Sequence, residues 1–342
     1  MFGTFRMFLA LNVVVGHMGG SYFGIIMPGI AAVVCFFMIS GYAMSGLIQG
    51  SYPRLPEDVG HFYLDRILRL GPQYYFYLAV AVFIVFVVGW RSSVCCQSGP
   101  VNFVNIFANI TVIPLDFWMF STSIDHFQLN VPAWTIGLEL CFYIALPWLL
   151  YNRVSVWCSA IIGSIVWGLA THGVIDPDYF AYRLLPGTLV FFLVGVAAQR
   201  RDWPLFWCLC LFFLADAWSL SRAGVFGIGF NPHLLAGAAV GCLIVPLLSK
   251  LPRNRLDESI GAASYGCYLA HWTLVVAFEN YIGETWAMIG VAALAAACGF
   301  ASHQLIEKPV VQLRRAIRDR RAKSLHAATS ANAAFSHYAT TR

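Results

Sequence analysis

The stretch Phe5–Met18, FRMFLALNVVVGHM, decides how the rest of the chain is read. It is apolar apart from one cation near its start, Arg6, and one imidazole near its end, His17. It reads either as a cleaved signal or as the first of several membrane spans. A signal peptide gives way to a small-residue cleavage site and a soluble domain. Here a second apolar run follows instead, from about Gly29 to Ile48. As a helix, the eleven-residue step from Arg6 to His17 makes roughly three turns plus 20°, so both side chains leave nearly the same face. They stand roughly 16 Å apart along the axis. They cannot touch each other, but one elongated ligand can touch both. Ionisable groups inside a span are costly and face the bundle interior, which marks this pair as a candidate site.

The whole chain agrees with the span reading. Of its 342 residues, 59% are hydrophobic and 11% charged, with mean hydropathy +0.71. A soluble domain carries about 25% charge. Apolar runs recur at about 5–22, 29–48, 72–90, 134–151, 155–172, 185–199, 204–220, 232–249, 262–279 and 285–304. The expected fold is all-α, a polytopic transmembrane helix bundle of about ten spans with no separate soluble domain. Residues 1–309 form the transmembrane unit. Residues 310–342 are expected to be a basic amphipathic segment on lipid headgroups and then a disordered cytoplasmic tail. Pro114 and Asp116 interrupt 101–120, which reads as an interfacial or re-entrant piece.

Charge sets the expected orientation. With ten spans and the N-terminus inside, 18 of the 21 Lys and Arg residues fall on the inner side, leaving only Arg91, Arg183 and Arg222 outside. This follows the positive-inside rule and places both termini in the cytoplasm. The net charge of +5 therefore calls for no nucleic acid. Eight of the ten cysteines lie in apolar runs as small hydrophobes, and neighbours such as Cys95 and Cys96 rarely bridge each other. No spacing suggests a metal.

Further polar groups interrupt the spans. Ser40 and Gly41 in FFMISGY allow close helix approach. Arg66 and Arg69 of DRILRL share one helix face, either as inner anchors or as a cradle for phosphates. Glu139 and Tyr143 share a face in PAWTIGLELCFYIALP, while SYGCYLAH carries Tyr265, Tyr268 and His271. IEKP, with Glu307 and Lys308, reads as an inner-surface anchor.

Together, and in this order from residue 4 to about 310, these segments resemble the acyltransferase-3 family of integral-membrane acyltransferases. The resemblance implies transfer of an acyl group, most often acetyl, from cytoplasmic acyl-CoA to a hydroxyl of an exported glycan or polyprenyl-linked saccharide. It also implies that His17 is the catalytic base, and that Arg6, Arg66 and Arg69, with Ser40 beside them, hold the acetyl-CoA donor. Many relatives carry an extra extracytoplasmic hydrolase-like domain. This chain ends in a basic tail and so resembles the stand-alone exopolysaccharide acetyltransferases, in a bacterial inner membrane. Glu139 is expected to orient the His17 imidazole, as carboxylates do in triads. Tyr143, Tyr268 and His271 are expected at the acceptor. The alternative is a multi-span transporter or proton-coupled permease using His17, Glu139 and His271 as a proton path.

Overall fold

A computed structural model describes residues 2–19, 27–52, 57–93, 96–252, 254–314 and 316–318. Ten long helices build it: α1 (Phe2–His17), α2 (Gly29–Ser51), α3 (Val59–Phe83), α6 (Trp134–Leu149), α7 (Arg153–Thr171), α8 (Leu185–Arg200), α9 (Trp203–Ala223), α10 (Asn231–Ser249), α11 (Arg255–Ala277) and α12 (Thr285–Ser302). The short α4 (Phe103–Thr111) and α5 (Thr122–His126) lie between α3 and α6. Among the described residues there is no strand, as an all-α bundle requires. Eight of the helical segments are long and apolar enough to cross a bilayer. Of the ten expected, α1 has only 16 residues, and α11 carries Asp257 and Glu258 in its first turn.

At the centre is α8, apolar all round and continuously buried from Gly187 to Ala198. A helix with no polar face belongs inside other helices. It meets α2 backbone to backbone. A Cβ on Gly41 would lie 1.9 Å from the Phe192 carbonyl oxygen, and one on Gly195 would lie 1.9 Å from that of Met38. A second tight group joins α1, α11 and α12. Asp257 there accepts from the Gly3 and Thr4 amides, at 3.0 and 2.8 Å, at the α1 N-terminus, where a carboxylate is favoured.

Several expectations shift. The span expected at 72–90 starts earlier, because α3 is helical from Val59 and runs through Pro72 into a wide π turn at Ile84–Val88. Arg66 and Arg69 therefore stand on one helix, as their spacing predicts. The first helix ends at His17, and the expected extension to Tyr22 lies outside the described residues. The expected inner anchor of IEKP is only half a surface feature, because Lys308 is exposed but Glu307 is buried and paired with Arg69 and His303. The first turns of the basic tail continue α12 as far as Arg318, and Arg314 there is buried on Asp65 of α3 at 2.9 and 3.0 Å rather than lying on lipid. Residues 319–342 lie outside the described set. The 101–120 segment is a nine-residue helix, α4, closed by an Asn102–Asn105 capping box and followed by a 3₁₀ stretch, Ile113–Phe120. Nine residues rise about 14 Å, too little to span, in keeping with an interfacial piece. Eight cysteines are free, but Cys96 is disulfide-bonded, contrary to the expectation for this loop.

Candidate active site

Three cavities follow one another along α1. The first is an open cleft of about 920 Å³ at the N-terminal end of α1, bordered by the start of α11 and by His303–Gln312. Arg6 and Arg69 line both it and a second, narrower cavity of about 140 Å³ enclosed by α1, α2, α3, α6 and α11. Val33, Thr135 and Tyr268 line both the second and a third cavity of about 360 Å³, into which His17 opens. The predicted same-face geometry of Arg6 and His17 thus places them at successive stations of one passage.

The two arginines of the R-x-x-R pair differ. Arg69 faces the junction of the first two cavities, paired with Glu307 and lying 5.5 Å over the Tyr265 ring. Arg66 is 5% exposed, paired with Asp65 and within 3.3 Å of the Met44 sulfur. It lines the second cavity, but its strongest contacts are to the Asp65–Arg314 lock.

Glu139 lies on the wall of the second cavity. It accepts from Ser40 Oγ at 2.7 Å and from the Tyr143 hydroxyl, so those expected site residues form one cluster. It makes no hydrogen bond to His17, which corrects the expected triad-like role. The reason is one of place: Glu139 faces Ser40 of α2, whereas His17 opens into the next cavity. Tyr143 is buried and lines the same cavity.

The partner of His17 is His271. The His271 Nδ1–H donates to the Tyr268 carbonyl, so its Nε2 carries the lone pair. The His17 Nδ1–H is shared between the Val13 carbonyl at 3.0 Å and His271 Nε2 at 3.3 Å. Because carbonyl oxygens only accept, this chain fixes both tautomers and leaves His17 Nε2 with its lone pair and no hydrogen-bond partner among the described residues. Trp272 closes the far side edge-on, ring centroids 5.6 Å apart. His271 is 0% exposed and lines none of the three cavities, so it does not contact an acceptor there, as the sequence had suggested, but backs the exposed His17. Tyr268 does reach the passage, with its hydroxyl 2.7 Å from Thr135 Oγ1 and 3.1 Å from the Pro132 carbonyl.

The sequence reading passed over several lining residues. Thr135 and Trp134 stand within the quoted PAWTIG segment, and Arg183 is one of the three basic residues that the charge pattern sets apart.

Comparison with known proteins identifies the family. The family model described as an acyltransferase domain matches residues 3–302. An uncharacterized protein of Aquifex aeolicus is 28% identical over 54% of this chain and 88% of its own length. Nodulation protein 10 of Rhizobium leguminosarum bv. viciae is 25% identical over 94% of this chain and 95% of its own. O-acetyltransferase OatA of Staphylococcus aureus is 23% identical over 89% of this chain, which spans 56% of that longer protein. No solved structure matches. A helical bundle with an axial passage, matched over nearly its whole length by this family, is a multi-pass membrane protein that belongs to the acyltransferase-3 family.

Proposed function

We propose that the protein transfers an acyl group, with acetyl the expected one, from acyl-CoA to a hydroxyl of a glycan or lipid-linked saccharide. The observation that supports this reading is the passage itself, with guanidinium groups at one end and the unpaired Nε2 of His17 at the other. Arg6 and Arg69 suit the phosphates of the donor, since guanidinium forks match phosphate oxygens. The narrow second cavity suits a thin pantetheine arm. Thr135 and Tyr268 then mark where the thioester meets the third cavity.

In this reading the acceptor hydroxyl lies beside His17. Its oxygen adds to the thioester carbonyl carbon as its proton passes to His17 Nε2. The carbon–sulfur bond breaks, the sulfur leaves with the electron pair, and the imidazolium returns the proton to it. A neutral imidazole with one free nitrogen is suited to this general-base step. The charge asymmetry supports a donor on the cytoplasmic side and an acceptor on the other.

The test is transfer of radiolabel from acetyl-CoA to glycan by the purified protein in lipid vesicles. Labelled glycan is expected with the wild type and none with His17→Ala. Labelling that ignores either acetyl-CoA or His17 overturns the reading.

A further inference from the structure

The His17 cavity has an uneven chemical lining. Its described residues include Arg183, His17 and His233 but no carboxylate. Arg183 is held in place with care. Its Nε donates to both oxygens of Asp178 at 3.0 Å, and its guanidinium lies 4.7 Å over Trp134, 5.2 Å over Trp118 and 5.4 Å over Tyr182. A guanidinium has five N–H donors. Only the one on Nε is taken among the described residues, which leaves the four on the two terminal nitrogens without a protein acceptor. Asp178 is 30% exposed, so its charge is screened by solvent more than that of Arg183, at 17%.

We infer that the acceptor is anionic: a sugar bearing a carboxylate or phosphate group that Arg183 grips while the neighbouring hydroxyl is presented to His17. The inference rests on reading this cavity as the acceptor side. The free guanidinium edge matches two oxygens of one anionic group, which a neutral hydroxyl cannot do. Cation–π contact with three rings, together with the bond to Asp178, restrains the side chain, so little side-chain entropy remains to be lost on binding. Trp134, Tyr182 and Phe230 line the same cavity and give the apolar faces of a sugar ring a surface to rest on. Held between the fork and the rings, such a sugar reaches a defined depth relative to Nε2. That depth determines which of its hydroxyls is acylated.

Binding can be measured without donor, by ligand-observed NMR on the protein in lipid nanodiscs. The probes are 4-nitrophenyl β-glucuronide, 4-nitrophenyl β-glucoside 6-phosphate and the neutral 4-nitrophenyl β-glucoside. The wild type is expected to bind one or both charged probes about tenfold more tightly than the neutral one. A preference for the glucuronide alone assigns a carboxylate, and one for the phosphate alone assigns a phosphate. Arg183→Ala should remove the preference, so that within that variant the charged and neutral probes bind alike. Arg183→Lys should keep part of it, and Asp178→Ala, which frees the guanidinium, should increase it. If Arg183 is only a clamp on the loop, Asp178→Ala will behave as Arg183→Ala does. That result, or equal binding of all three probes by the wild type, overturns the inference. Transfer to a neutral acceptor with no charge preference sinks this inference and leaves the acyltransferase reading intact. Charged-probe binding without any transfer does the reverse.

Discussion

The two ends of the passage are built on opposite electrostatic plans. Near the N-terminus of α1, charge is set against charge: Arg69 with Glu307, and Asp65 with both Arg66 and Arg314. Around His17 the order comes from neutral groups, two histidines in fixed tautomers, two hydroxyls and several rings, with Arg183–Asp178 as the ion pair at the rim. A cation buried beside a carboxylate needs a negative partner to offset its lost hydration, and an arriving polyanion offers the same kind of partner. A neutral hydrogen-bonded chain instead fixes direction, since each donor has one place to go. The first plan suits capture of a polyanion, and the second suits aiming a lone pair.

The strongest way to break the comparison is at the aimed end. His17→Asn should lower transfer by about 10²–10⁴, the usual range for a general base, with an unchanged thermal midpoint. Near-normal turnover in a well-folded variant removes the base from the proposal. His271 acts through His17, so His271→Ala should lower kcat by about tenfold with the donor KM unchanged. His271→Gln, whose amide oxygen still accepts from Nδ1–H, should recover most of that. An indifferent Ala variant reduces the dyad to packing. At the other end, Arg69→Lys should raise the donor KM by up to about tenfold, as the fork is lost but the charge kept. Arg66→Lys should chiefly lower the thermal midpoint, because Arg66 is bound into the Asp65–Arg314 lock. Equal KM effects would put both arginines on the donor and erase that distinction.

The smallest expected effect concerns Asp116, packed against Gly137 in the first turns of α6. It is 0% exposed, and neither carboxylate oxygen has a hydrogen-bond partner among the described residues. Burial pushes its pKa up to about 8, with Arg183 pulling the other way. Unfolded, the group loses its proton near pH 4; folded, it keeps the proton to about pH 8. Unfolding in this window therefore releases a proton, and stability falls as pH rises through it, levelling off above. Asp116→Asn should match the wild type near pH 4 and exceed it by a few degrees in thermal midpoint at pH 8. Parallel curves across that range would show that the carboxyl is ionised in the folded protein.

Much of this was legible in the sequence, because a bilayer leaves the backbone few alternatives. The helical segments, the interruption at 101–120 and the shared face of Arg6 and His17 follow from apolar run length and helical period. The gathering of Ser40, Glu139 and Tyr143 follows in part, since Glu139 and Tyr143 are four apart on α6. Which carboxylate serves which partner was not legible. Glu139 on α6 was expected beside His17 and His271 on α11 at the acceptor, and packing instead put His271 against His17. Glu307 and Arg314 looked like inner-surface charges because nothing local shows that α3 will bring Arg69 and Asp65 to meet them. Arg183 carried a signal that was read only as topology.

The glycine seams have a mechanical side. Where α2 rests on α8 at Gly41 and Gly195, no side chain lies between the backbones to change rotamer, so that seam cannot widen by small repacking. The α3–α6 seam is different. These helices meet sparingly, bridged by the Tyr63 hydroxyl on the Ile144 carbonyl at 2.9 Å, yet both wall the narrow cavity. The bore therefore has one stiff side and one compliant side. Hydrostatic pressure or a thicker bilayer is expected to change its calibre at α3 and α6 first, with the side braced by α8 keeping its position.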